Sequence, residues 1–291
     1  MIYQGHTDHV FAVAWSPDGR YVASASRDTS VHVWRAADGQ LITLYRGHDH
    51  PVLSVAWSRD GACLASGCTA GLVQVWEPFT GETTLTYRGH VRFVRSVAWS
   101  PDDRYIASGG DYGDSTVQVW ETATGQSLFR RDQQYRIFAV CWSLDGGRVA
   151  SASFDGSAQV WDAFDGGHTL VYQEHHGPLY ALDWSRDGRY LASAGEDTAA
   201  RVWSAATGET AQIYRGHKRP LKALAWSPDN RTLASGGDDS TMQVWDAFTG
   251  QAREGYDYSG HAAWIRALAW SPDGQHLAAA SNRRVVVIDG I

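Results

Sequence analysis

Cysteine, methionine and proline are scarce in this chain, with 3, 2 and 8 copies among 291 residues. Cys63, Cys68 and Cys141 are odd in number and lack metal-ligand spacing. That argues against a disulfide framework or a metal knuckle and points to a reducing, cytoplasmic setting. No apolar run approaches the ~20 residues that a bilayer crossing needs. The start, MIYQGHTDHV, has no basic segment leading into an apolar one, so no secretory leader is read there. Positive charge is in the minority: 25 Lys and Arg against 32 Asp and Glu give a net charge of −7. Nucleic-acid binding by the whole surface is disfavoured on that balance. No segment carries a helical period, and no glycine loop sits between a strand and a helix to cradle a phosphate. No cofactor is expected.

Tryptophan and glycine are abundant, at 14 and 30 copies. The tryptophans are periodic. Trp15, Trp57, Trp99, Trp142, Trp184, Trp226 and Trp270 lie 42 to 44 residues apart. Trp34, Trp76, Trp120, Trp161, Trp203 and Trp245 form a second series, with Ile288 in the seventh place and Trp264 outside both. A period of this length marks a repeat architecture. Each copy holds four short alternating runs of β-branched, aromatic and small residues, bounded by Gly, Pro, Asp and Ser. Val10–Trp15, Tyr21–Ser26, the run ending at Trp34 and the run ending at Tyr45 are the first set. Four antiparallel strands per copy, seven times, is the expectation.

The Gly-His pairs (Gly5-His6, Gly47-His48, Gly89-His90, Gly216-His217, Gly260-His261), the Ser-Pro-Asp turns and the Trp-Asp ends at Trp161-Asp162 and Trp245-Asp246 resemble the WD-repeat family over the whole chain. The resemblance implies an all-β, seven-bladed β-propeller with residues 1–291 as one domain. The chain opens on the end of a fourth strand and stops after a third, so residues 1–5 are expected to supply the outer strand of the last blade. Such closure removes the unpaired edges at the seam.

A polar set recurs: His6, Ser24, Asp28, Trp34; His90, Ser108, Asp114, Trp120; His175, Ser193, Asp197, Trp203; and His217, Ser235, Asp239, Trp245. His, Ser and Asp together also describe a hydrolase triad, but an enzyme has no use for four copies. The resemblance implies a structural hydrogen-bonded tetrad in each, with Ser26 sharing parity with Ser24 and so competing for its place. Blade two has Ala70 in the Asp place, blade four has Gln133 in the His place, and blade seven has Ala279 and Ile288, so these blades should be tied less firmly. No metal site is expected from His6/His9, His48/His50 or His175-His176, because the tetrads already engage one member of each. Cys141, beside a core Trp, is expected to pack.

A ligand surface should lie where the copies diverge. Two positions at the start of each first strand are expected to face the channel entrance on the Gly-His side. They hold Phe93, Arg136 and Trp264 among the outer set, and Phe11, Leu53, Arg95, Phe138, Tyr180, Lys222 and Arg266 as the inner set. Arg27 and Phe154 precede the tetrad Asp position, and Arg92, Lys218 and Arg219 add charge in the same loops. Arginine and aromatics are the residue types of binding hot spots. The expectation is a non-catalytic interaction scaffold whose basic, aromatic face takes a peptide segment, acidic or phosphorylated, from a protein partner. The opposite face collects turn aspartates such as Asp18 and Asp60. Single-stranded nucleic acid fits the same residue types less well. A monomer without a membrane partner is expected. Two other readings stay open: a detached or designed propeller with no ligand of its own, serving a larger signalling protein, and a propeller enzyme.

Overall fold

The computed structural model describes residues 1–167, 169–253 and 264–290. Among them the chain forms 27 strands and no helix. The strands make seven antiparallel sheets, six of them meanders of neighbours in sequence and one that adds the N-terminal strand to three C-terminal ones. Blades are numbered here by their innermost strands: Val10–Trp15, Val52–Trp57, Val94–Trp99, Ile137–Trp142, Leu179–Trp184, Leu221–Trp226 and Ile265–Trp270. Six sheets have four strands. Blade six shows three, extended by a bridge between Trp245 and Ala252. Its expected outer strand and the Gly260-His261 pair fall outside the described residues.

No blade has a core of its own. Each of the seven hydrophobic clusters joins two neighbouring blades. Ala23, Ala25, Val31 and Val33 of blade one, for example, pack against Val52, Trp57, Leu64 and Trp76 of blade two. The second tryptophan series is fully buried from Trp34 to Trp245. Emptying one such site costs about 3–5 kcal/mol. An outer-strand tyrosine lies flat on each of several of these rings, as Tyr45 does on Trp76 at 4.0 Å between centroids. The first tryptophan series bonds from blade to blade. Trp57 Nε1 donates to the carbonyl of Ala14 (3.2 Å), Trp99 to Ala56 (3.1 Å), Trp142 to Ala98 (3.0 Å) and Trp270 to Ala225 (3.1 Å).

The ring closes through the chain termini. Ile2–Tyr3 pairs with Val286 and Val285 in the sheet of blade seven. Met1 gives its ammonium to the carbonyl of Val287 (2.6 Å) and accepts the Val287 N–H (2.8 Å). Tyr3 stacks on Trp34 at 4.7 Å, and Trp15 Nε1 reaches back to Ala269 (3.0 Å). The seam therefore uses the kinds of contact found between the other blades.

Aromatic contacts between the far-side turns alternate. Tyr21 meets Phe79 (5.2 Å), Tyr105 meets Phe164 (5.3 Å) and Tyr190 meets Phe248 (5.1 Å), all edge to face. These lie at the junctions of blades one and two, three and four, and five and six. The matching positions on the next junctions are Cys63 with Ala123 and Arg148 with Ala206.

The blade-to-blade indole bonds fail at two places. Trp184 and Trp226 Nε1 have no partner. Their acceptors would be the carbonyls of Cys141 and Asp183, the two residues that replace the alanine found at this position elsewhere. Asp183 instead accepts the backbone N–H groups of Trp226 (2.7 Å) and Trp184 (2.9 Å). Burial pushes its carboxyl up to about 6, against those bonds and Arg186. The Cys141 thiol is pushed up by burial and by Asp183, and packs against the blade four–five core.

Two outcomes follow for stability. Deleting residues 1–5 removes Tyr3 and the closing strand, and should lower the unfolding free energy by about 3–5 kcal/mol for the buried aromatic alone. Urea denaturation of the truncated chain against the full one reads this. Asp183→Ala should raise stability at pH 7 by about 1–2 kcal/mol, because a carboxyl raised in the folded state costs stability above its folded value. The gain should shrink as pH falls from about 6 to about 4 and vanish near pH ~3, where the carboxyl is mostly protonated in folded and unfolded forms alike. Denaturation across this pH range tests it.

Candidate functional site

The inner strand of every blade carries one bulge against the second strand. In blade one the register passes from Val10↔Ser26 to Ala12↔Ala25, so Phe11 is left out of the ladder. The same break skips Leu53, Arg95, Phe138, Tyr180, Lys222 and Arg266 in the other blades. A bulge leaves its extra residue unpaired and re-aims it. Here all seven of these side chains line one cavity of about 200 Å³ at the mouth of the central channel.

Within that cavity cations and rings interlock. Arg95 lies 5.8 Å from the Phe138 ring centre, Lys222 3.4 Å from Tyr180 and Arg266 5.6 Å from Phe11. Phe138 meets Tyr180 edge to face at 5.0 Å. Arg266 also covers Trp264 at 5.3 Å. Burial lowers the Arg95, Arg266 and Lys222 groups from their ordinary values. Burial and Glu196, which accepts the Tyr180 hydroxyl (2.8 Å), push Tyr180 up to about 12.

Four of the ten expected contact residues lie outside this cavity. Phe93 and Trp264 precede the inner strands of blades three and seven. Arg136 sits over Tyr112 (4.6 Å) and Phe154 (5.3 Å), near Asp111 at 3.9 Å. Arg27 lies 3.9 Å from Asp8. Lys222 pairs with Asp238 at 3.6 Å. The face is thus less basic than its cations suggest, because carboxylates on the same face balance three of them. Arg95 and Arg266 have no carboxylate within 4.0 Å among the described residues. On the far face, turn aspartates are absorbed locally: Asp18 accepts from Ser16 Oγ (2.5 Å) and Arg20 N (3.0 Å).

The polar tetrads are placed as relays. His6 bonds Asp28 through Nδ1 (2.9 Å) and Ser24 through Nε2 (2.8 Å), while Trp34 Nε1 donates to Ser24 (3.3 Å). His90 joins Asp114 (3.1 Å) and Ser108 (2.8 Å), with Trp120 on Ser108 (3.1 Å). His175 joins Asp197 (3.1 Å) and Ser193 (2.8 Å), with Trp203 on Ser193 (3.1 Å). His217 joins Asp239 (2.9 Å) and Ser235 (2.8 Å), with Trp245 on Ser235 (3.0 Å). Ser26 takes a different role, donating to the Asp8 carbonyl (3.1 Å). Each tetrad serine is fully buried, so its hydroxyl has no approach for a substrate. Burial raises the Asp114 carboxyl, but His90, Thr116 and the Val91 N–H hold it at about 2.

One feature escaped the sequence reading, and one expected weakness takes a definite form. His32 stacks on His6 at 3.7 Å and is bonded to the Tyr3 hydroxyl through Nδ1 (2.8 Å). His6, Asp28 and His32 thereby form a compact ligand-like group. Both His6 nitrogens already have partners, and the stacked rings aim their in-plane lone pairs along separate planes, so the group does not suit a metal ion. In blade two, Ala70 leaves His48 Nδ1 without a partner. Burial holds His48 at about 4. Its folded value lies below the unfolded one, so the associated stability is present above about pH 6.5 and is lost as pH falls toward 4. Ala70→Asp should supply the missing acceptor, add about 1 kcal/mol at pH 7 and reduce that acid-side loss. Thermal melts from pH 7 to pH 4 check both.

The family model described as "WD domain, G-beta repeat" matches seven stretches: 1–35, 39–77, 81–121, 126–162, 166–204, 208–246 and 253–289. Among curated proteins, the chain is 45% identical over 42 residues to the Ribosome biogenesis protein BOP1 homolog of Drosophila virilis. It is 51% identical over 39 residues to Ribosome assembly protein 4 of Saccharomyces cerevisiae. These matches span 14% and 13% of this chain, and only 5% and 8% of the relatives. One repeat, not a whole protein, is shared. Seven matched repeats, folded as seven blades, place the chain in the WD-repeat family.

Proposed function

We propose that this propeller is a non-catalytic interaction scaffold that binds an acidic or phosphorylated peptide segment of a protein partner across its channel mouth. The observation that carries the reading is the convergence of the seven bulged side chains on one cavity. A bulge takes its extra residue out of the ladder and re-aims it, so this position can vary between blades while the cores do not. Arg95 and Arg266 bring positive charge without a carboxylate partner, and Phe11, Phe138 and Tyr180 bring flat apolar surface. Guanidinium forks match carboxylate and phosphate geometry. A cavity of about 200 Å³ takes a side chain and not a folded element, so one acidic side chain enters while its backbone crosses the rim. The relatives named above are proteins of ribosome biogenesis and assembly, which fits a scaffold role without naming a partner for this chain.

An array of acidic and phosphorylated peptides, probed at low and physiological salt, tests the reading. Salt-sensitive binding by the wild type is expected. Arg95→Glu combined with Arg266→Glu should weaken it by roughly a hundredfold, with the melting temperature kept. Binding that survives the charge reversal, or no binding by either protein, would overturn it.

A further inference from the structure

Blade four has lost its histidine but kept its aspartate. Gln133 stands in the His place and is 8% exposed. Its Nε2 donates to Ser151 Oγ (2.8 Å), while its Oε1 has no partner. Among the described residues Asp155 accepts only from Ser157, through N–H (2.9 Å) and Oγ (2.7 Å). No cation lies within 4.0 Å of it among the described residues. In the four complete tetrads the same carboxylate takes an imidazole and a backbone N–H, as Asp28 takes His6 and the Thr7 N–H (2.9 Å). Between Gln133 and Asp155 a polar cavity of about 260 Å³ opens on the Gly-His face, with Gln159 on its wall.

We infer that this cavity is a binding site for a guanidinium or primary ammonium group. Its two unanswered groups, an amide oxygen and a carboxylate, are both acceptors, and one is anionic. Their complement is a cation with at least two N–H donors. Blade five shows that the space beside a tetrad aspartate accepts such a group. There Arg201, in the place of Gln159, brings NH1 to 2.6 Å from both Asp197 and His175. In blade four no resident side chain does this. Arg131 and Asp132 also line the cavity, but the Arg131 guanidinium is engaged elsewhere: it lies 5.2 Å from the Trp161 ring, donates to Gly166 O (3.3 Å) and Thr169 (3.3 Å), and makes no ion pair with Asp155. The sequence supports the same assignment. The loop entering blade four is one residue short and lacks the Gly-His pair, and Gln133 takes over the bond to Ser151 but not the one to the aspartate, so Asp155 is without the imidazole that its counterparts hold. None of these residues lines the channel mouth, and the inference does not depend on the peptide reading.

Titration of the full chain with agmatine tests it, followed by the Gln133 side-chain amide and the Trp161 indole signal in 15N–1H spectra. Saturable shifts are expected with agmatine and none with choline, a cation without N–H donors. Asp155→Asn should weaken binding roughly tenfold or more, while Asp165→Asn, on the far face of the same blade, should not change it. A blocked Gly-Arg-Gly peptide separates the two sources: tighter binding than agmatine assigns the site to a partner's arginine, and equal or weaker binding assigns it to a free amine. The inference fails if agmatine gives no saturable shift, if choline reproduces it, or if Asp155→Asn leaves it unchanged.

Discussion

Each blade is stable only because its neighbour covers it. Trp76 is buried by residues of blade one as much as by its own sheet, and Trp34 depends on Val285 and Val287 at the far end of the chain. Removing apolar surface from water drives this packing, and in a ring every blade must find two covering partners. The stacked outer-strand tyrosines, the indole-to-carbonyl bonds and the exchanged terminal strand all serve that single requirement. Independence of one blade from the next is not available to such a chain.

The same rigidity frees one position per blade. A bulged residue contributes nothing to its ladder and little to the shared cores, so it can be Phe, Leu, Arg, Tyr or Lys at small cost. Packing sets where these side chains meet, and their chemistry is left to selection by a ligand. The tetrads behave in the opposite way. They close the Gly-His loops onto the sheets through buried bonds, and each bond is worth about 1 kcal/mol because its loss would strand a buried polar group. Where one member is missing, as at Ala70 or Gln133, the strand persists and a polar atom is left unanswered.

The blade count, the strand order and the strand exchange at the seam were all legible in the sequence, because the tryptophans recur at fixed spacing and the chain begins mid-repeat. The inner set from Phe11 to Arg266 was legible as divergence within a constant frame. The bulge that unites it was not, since a period-2 pattern looks the same with or without a skipped residue. The pairing of Lys222 with Asp238 and of Arg136 with Asp111 joins different loops, and charge counting along the chain overstates the basicity that results. His32 was hidden for another reason: it stands where Gln74, Gln118, Gln159 and Gln243 stand in other blades, and only the packed structure brings it onto His6. The consequence of Asp183 was also invisible, because the alanine it replaces looks dispensable until the neighbouring indole is seen to need the carbonyl behind it.

The Tyr–Phe contacts have a period of two blades, and seven is odd. A two-coloured necklace with an odd number of beads must place two beads of one colour side by side, and here the mismatch falls around blade seven. His276 stands in its tyrosine place, and Ala37 stands opposite it in blade one. The chain therefore reads as three doublets and a singlet. The singlet is also the blade whose last strand is borrowed from the other end of the chain. The blade left out of the aromatic pairing is thus the one where the ring is sewn shut.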